Sequence, residues 1–310
     1  MAETQKIDQN DFSRMFKCHP DELPAQLISG LEMINTTFRE PTLREFEEYV
    51  LDFLKRMNSP HISRTEKENL EAFEKGWRNN LEMLVASEGT SYSLKPGYFR
   101  PSKFLRYNKG LIISDNHDLE YELFNMARYL LFTRYLSPYE HIYELGSGGC
   151  QNLFLLSELF PTKTLFGLDW TTASAEIAHY LSKALNRRIE GVIFDMTNPS
   201  PDFLIKPESA VITIHALEQI GTNYGKLISF LMDSKPGIVL HYEPIIEFYN
   251  ENNLLDYLAI MYSKKRTYLS GFLTELQRLE GEGKIEIIAA WRPYLGGIIH
   301  ESSAVIWRPR

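Results

Sequence analysis

The residues best suited to chemistry begin at Glu144-Leu145-Gly146-Ser147-Gly148-Gly149. This run follows the apolar and aromatic residues Ile142 and Tyr143, and residues 152–156 then start a helical apolar pattern. A strand, a glycine turn and a helix, in that order, are what a nucleotide-binding loop requires. Glycines let the backbone turn with φ > 0 and let a ligand approach the main chain. The following helix offers free N–H groups and the positive end of its dipole. A second apolar run, residues 164–168, ends in Asp169. An acid there, roughly 20 residues past the glycines, suits the hydroxyls of a ribose. A third run, residues 191–194, ends in Asp195-Met196, and Lys235-Pro236-Gly237 turns into a further apolar strand followed by His241-Tyr242-Glu243. Gln151 stands where the last glycine of the dinucleotide pattern would fall, which weakens an NAD-binding reading.

As a set, these residues resemble the class I S-adenosylmethionine (SAM)-dependent methyltransferases, over roughly residues 139–309. The resemblance implies a Rossmann-like α/β sheet, mostly parallel with an antiparallel last strand, and SAM as cofactor. It implies that the loop opened by Glu144 lies against the methionine part of SAM. Asp169 would then hold the ribose hydroxyls, and Asp195 the adenine amino group, with Met196 beside the ring. The full set of implied cofactor contacts is Glu144, Gly146, Ser147, Gly148, Asn152, Asp169, Trp170, Asp195, Met196 and His215. One departure stands out: the family alternates its glycines, whereas here an extra Gly149 is followed by Cys150.

Methyl transfer from a sulfonium is an in-line displacement, so the acceptor must be held close and aligned. An oxygen acceptor of high pKa also needs a base, and histidine suits neutral pH. Ligands of open α/β sheets sit at the carboxyl ends of strands. His215, after the fourth strand, is the first candidate and His241, after the fifth, the second; the resemblance does not choose between them. Glu218, three residues past His215, would orient either that ring or the acceptor, or form a structural ion pair. Tyr242 and Glu243 fall near the same strand ends and are expected to bind the acceptor. Residues 91–113 interleave aromatic and basic side chains with prolines and glycines. They read either as a connector or as a lid, with Tyr98 and with Arg100, Lys103 or Arg106 facing an anionic acceptor. Tyr262, Lys264, Lys265, Arg266 and Tyr268 form a second such cluster. No HExxH, paired CxxC, clustered carboxylates or Walker loop occurs, so no metal is expected.

These groups need elements to position them. The chain divides into an N-terminal helical region with the lid segment, 1–137, and a SAM-binding domain, 138–310, with a helical insert at about 245–281. Leu23, Leu27, Leu31 and Ile34 recur at helical spacing. Thr42 reads as a cap for a stripe of Phe46, Val50, Phe53 and Leu54. Ser63 or Thr65 would cap a third helix carrying Leu70, Phe73, Trp77, Leu81 and Leu84, read as a self-packing core. A strong helix over 118–137 should cover the sheet, and Thr171 or Thr172 should cap the helix after Asp169. The 310-residue chain carries a net charge of −8, which argues against nucleic acid or anionic membrane as partner. Cys18 and Cys150 offer no disulfide framework, the polar start has no signal core, and no stretch suits a membrane span, so a cytoplasmic monomer or homodimer is expected. The expected function is methylation of an oxygen or nitrogen of a small molecule. The alternatives are a peptide or protein side-chain methyltransferase and a non-catalytic SAM-binding regulatory protein. A closed pocket beside His215 favours the first, a long groove the second and a blocked pocket the third.

Overall fold

Alternation along the apolar strands builds two cores at once. In β5 (His141–Leu145), Ile142 enters one core while Tyr143 and Leu145 enter the other. The computed structural model describes residues 4–59, 62, 66–297 and 301–310. Its main sheet has seven strands, in the order β10-β12-β9-β8-β5-β6-β7. The others are β6 (Thr164–Asp169), β7 (Ile189–Ile193), β8 (Ala210–Ile214), β9 (Ile238–Glu243), β10 (Ile285–Trp291) and β12 (Ser303–Pro309). The five strands from β5 to β9 are parallel, while β12 runs antiparallel to both β9 and β10. The order reverses between β5 and β8. In such sheets that reversal opens a crevice at the carboxyl ends of the strands.

Around the sheet lie α5 (Leu119–Tyr135), α6 (Gln151–Leu159), α7 (Thr172–Leu185), α8 (Gly225–Ser234), α9 (Leu254–Arg266) and α10 (Phe272–Gly281). The N-terminal part holds β1 (Gln5–Lys6), α1 (Gln9–Met15), α2 (Ala25–Met33), β2 (Thr37–Phe38), α3 (Leu43–Met57) and α4 (Glu66–Ala86). Thr42 caps α3 in a reciprocal box with Glu45, as its sequence suggests. The expected caps of α4, Ser63 and Thr65, lie outside the described residues. The N-terminal helices do not pack only on themselves: Phe12, Leu27 and Leu84 share one core with Leu123, Ile142 and Ile212.

The aromatic and basic segment is more ordered than its sequence implied. Its second half is a hairpin, β3 (Phe104–Tyr107) and β4 (Gly110–Ile113), extended by β11 (Leu295–Gly296) into a small sheet of its own. Asn108 and Lys109 both take positive φ, 47° and 71°, which is the turn that suits a two-residue hairpin. Arg106 therefore does not face an acceptor. It is buried, with Nη2 2.6 Å from Asp256 Oδ1 and Nη1 3.0 Å from Glu301 Oε2. Arg292 completes the cluster, 2.7 Å from each of the same two carboxylates. Two arginines and two acids neutralise one another and tie the hairpin to α9 and to the start of β12. Burial alone would raise the Asp256 carboxyl, but hydrogen bonds from Arg292, Asn250 and Arg106 outweigh it and hold it at about 2.

Candidate functional site

The glycine turn closes as β5 ends. Gly146 takes φ +75°, and a Cβ there would lie 2.4 Å from Ala216 Cβ. Gly148 takes φ +48°, and a Cβ there would meet the Trp77 ring at 2.7 Å. Both positions exclude any side chain, so the loop is pressed between the turn after β8 and helix α4. Cys150 also takes a positive φ, 58°, where glycine would cost less. Its thiol is fully buried and lies 3.5 Å from the Ser174 carbonyl, and burial pushes it well up. The departure from the family pattern thus points into the core and lines no cavity.

Two adjoining cavities meet at this turn. The larger, about 570 Å³, is lined by Gly146, Gly148, Asp169, Trp170, Asp195 and Met196. The smaller, about 310 Å³, is lined by Glu144, Ser147, Asn152, Tyr98, Arg100 and Glu218. His215, Trp77 and the two glycines border both. The structure therefore brings together every loop, strand-end and histidine position that the sequence offered for a cofactor.

Each acid is held in its own way. Asp169 accepts from the Gly148 and Thr171 N–H groups, both at 2.9 Å, and from Thr171 Oγ1 at 2.6 Å; burial still raises its carboxyl. Asp195 accepts from the Thr197 N–H at 2.8 Å and from its hydroxyl at 2.7 Å. Glu144 Oε1 accepts from Asn152, whose own oxygen accepts from Arg128. Glu144 Oε2 is buried with no hydrogen-bond partner among the described residues, and the same holds for Gln151 Oε1. Burial pushes the Glu144 carboxyl up to about 8. Buried acceptors without partners call for a donor from a ligand. Gln151 and Glu144 both line the smaller cavity.

His215 leaves β8 with φ +52°. Its Nε2 is 2.5 Å from Ser302 Oγ, and its ring centroid is 4.8 Å from Phe124, 5.9 Å from Tyr98 and 6.0 Å from Phe99. Glu218 lines the smaller cavity and accepts from Gln219 at 2.9 Å; burial raises it, and Glu243 beside it raises it further.

Other candidates lie elsewhere. His241 is inside β9, not after it, because that strand runs on to Glu243. Trp307 donates to its Nε2 at 2.9 Å, so Nδ1 carries the proton and donates to Thr213 Oγ1 at 2.8 Å. Burial pushes that ring down to about 3, so it is a neutral core residue and no base. Glu243 accepts from the Ala216 and Leu217 N–H groups at 3.1 Å and shapes the turn after β8. Tyr242 is buried against Phe124 and borders neither cavity. Glu243 and Tyr242 therefore support the site from beneath, without touching what it holds.

Sequence reasoning missed the roof. Asn69, Phe73 and Trp77 of α4 line the larger cavity, and Asn69 Oδ1 is buried without a partner among the described residues. Helix α4 is pinned there by Glu74, which accepts from the Thr172 N–H at 2.8 Å, the Thr172 hydroxyl at 2.9 Å and the Ala173 N–H at 3.2 Å. Thr171 occupies the N-cap position of α7 as expected, but its side chain makes no cap bond. The capping carboxylate comes from about 100 residues earlier in the chain. The helical stripe of α4 did signal burial; it could not signal against what.

Among the described residues, no group of three His, Cys, Asp or Glu side chains could hold a metal. No described helix is long and apolar enough to cross a membrane. No protein-family model matches the chain, and no curated protein matches it. Among solved structures, it is similar to the pyocyanin biosynthetic protein PhzM at TM-score 0.47 and 14% identity, covering 62% of this chain and 57% of PhzM. The chain thus spans little more than half of PhzM's length. It is similar to the plantazolicin methyltransferase BpumL, solved with a pentazolic desmethylPZN analog and S-adenosylhomocysteine (SAH), at TM-score 0.45 and 13% identity over 78% and 98%. A third likeness is to the O-methyltransferase NcsB1 of neocarzinostatin biosynthesis, at TM-score 0.43 and 15% identity over 98% and 89%. At these identities and scores, neither ligand nor activity carries over from those proteins. What places this chain is its own sheet: counted from β5, the strands run 3-2-1-4-5-7-6 with the seventh antiparallel, a mostly parallel Rossmann-like α/β sheet with an antiparallel last strand, as its sequence implied.

Proposed function

We propose that this protein is a SAM-dependent methyltransferase acting on an oxygen or nitrogen of a small molecule, with residues 1–137 as roof and 138–310 as cofactor domain. One observation carries the reading: the glycine turn, Asp169, Asp195 and His215 border one cavity at the crevice of this sheet. The donor set fits SAM. Gly146 and Gly148 put main chain on the cavity wall, Asp169 and Asp195 offer carboxylates to hydroxyls and an amino group, and Glu144 offers an unpartnered oxygen to an ammonium. When bound, SAM would supply an electrophilic methyl carbon on a sulfonium. An acceptor held in line would bond to that carbon as SAH left with the sulfur's electron pair, and the acceptor would give up a proton.

The chain's residues would do three things for that step. Tyr98, Trp77 and His215 wall the smaller cavity and would hold the acceptor in line. The roof of α4 would exclude water. The imidazole of His215, fixed by Ser302 and three aromatic rings, would take the acceptor's proton. A small acceptor is favoured over a peptide because the cavity beside His215 is only about 310 Å³ and is bounded by α4, the Pro96–Arg100 segment and α9. Calorimetry with SAM, SAH and NAD tests the assignment. Binding of SAH but not NAD is expected, and the opposite result would overturn it.

A further inference from the structure

A third chamber, about 680 Å³, lies between α4 and the Tyr92–Pro101 segment. It shares Phe73, Trp77, Pro96, Tyr98 and Arg100 with the cavity beside His215, so those side chains form the partition between the two. Its lining is unlike the rest of the molecule. Tyr92, Phe99 and three of the shared side chains give it five aromatic rings. Lys95 and Arg100 give it positive charge, and among the described residues none of its lining side chains is acidic. The chain as a whole has 41 acidic and 33 basic residues, so a cavity with two bases and no acid departs from its average. The inner cavity is mixed instead, with Glu144 and Glu218 on its wall beside Arg100 and Arg266.

The two cations differ. Lys95 Nζ is 2.7 Å from Asp118 Oδ1 and 4.8 Å from the centre of the Tyr121 ring, so its charge is already answered. Arg100 makes no ion pair among the described residues, and it stands on the partition between outer chamber and inner cavity. A guanidinium binds a carboxylate through two parallel hydrogen bonds, and aromatic walls favour flat ring systems that stack or meet edge to face. A volume of this size holds a multi-ring molecule.

We propose that the outer chamber binds the acceptor and that the acceptor is a flat aromatic carboxylate. Its rings lie against Trp77 and Tyr98, its carboxylate meets Arg100, and its nucleophilic end passes into the inner cavity beside His215. The proposal rests on the methyl-transfer reading above and adds the acceptor's chemical class to it.

The test uses the full chain and three probes: a biphenyl with a hydroxyl at one end and a carboxylate at the other, its carboxamide, and its aminomethyl analog. Calorimetry measures each probe with and without saturating SAH, and SAH alone. The carboxylate should bind at least about tenfold more tightly than either analog. Arg100→Gln should remove that preference and Arg100→Lys should restore part of it, with SAH affinity unchanged in both. Equal or tighter binding of the carboxamide or the amine, with SAH bound normally, overturns the proposal. Carboxylate binding that depends on Arg100 but without SAH binding would uphold the chamber and end the methyl-transfer reading. Failure of both ligands would end both.

Discussion

If the cofactor's ammonium meets Glu144 as proposed, cofactor binding should depend on pH in a definite direction. Its carboxyl is held at about 8 against an ordinary 4.5 because the residue is fully buried, and Asn152 and Arg128 offset only part of that. At roughly 1.4 kcal/mol per pH unit, ionising it without a ligand costs on the order of 5 kcal/mol more than ionising a free carboxyl. The ammonium of SAM or SAH, placed against Glu144 Oε2, would favour the ionised form and lower that pKa. Binding below about pH 8 must then release a proton, so affinity rises with pH and levels off above about 8. If the bound carboxyl is fully ionised, affinity for SAH should increase roughly 50-fold, about 2.3 kcal/mol, between about pH 6 and about pH 8. Calorimetry in two buffers of different ionisation enthalpy reads the released proton directly. Glu218 borders the same cavity, and burial raises its carboxyl too, so Glu144→Gln is the control. It should remove most of the slope while leaving the other groups in place. A flat profile in the wild type, or an equal slope in Glu144→Gln, would refute the placement of the ammonium.

Asp169→Ala should weaken SAH by about 1–3 kcal/mol, the usual cost of unmade charged hydrogen bonds, measured by calorimetry. His215→Ala should lower turnover by about 10²–10⁴ with SAH affinity nearly unchanged, once an acceptor is in hand; intact turnover would make the ring structural. Asp256→Ala leaves Arg106 and Arg292 short of a partner in the core, and should cost about 3–5 kcal/mol in denaturant unfolding. In the wild type, Asp256 is held below its ordinary 3.8. Its contribution to stability is therefore complete above about pH 4 and is lost as pH falls toward about 2, which acid unfolding would show.

The sheet was legible because its strands are short, apolar and punctuated. Ala210–Ile214 falls where its sequence puts it, and the Pro236-Gly237 turn leads into β9. Errors came where strand and loop look alike. His241 and Tyr242 seem to follow a strand that in fact continues through them, because a polar residue inside a buried strand breaks the apolar run without ending the strand. The Thr213 hydroxyl and the Trp307 indole that satisfy His241 come from β8 and β12. No local pattern announces such partners. The hairpin at Asn108-Lys109 was hidden for another reason. Its turn lacks the glycine that usually marks two positive-φ positions, so prolines and aromatics upstream dominated the reading.

The site divides along the same line. Residues that end a strand at a sheet crevice were legible as cavity wall: Glu144, the glycines, Asp169, Asp195 and His215. Residues whose role follows from long-range docking were not. The stripe of α4 says that one face is buried, and a core was the simpler partner. Yet Phe73 and Trp77 border a cavity, and the cause is Glu74 on the same helix. Its carboxylate satisfies the open N–H groups at the start of α7, next to the strand end that carries Asp169. A helix fixed by that contact must lie over the glycine turn, where Gly148 has no Cβ to keep the Trp77 ring away. Glycine at 148 thus has two roles, a bend on the cavity wall and room for the roof. Only the first could be read from the strand–turn–helix pattern, because the roof lies about 70 residues away in the chain.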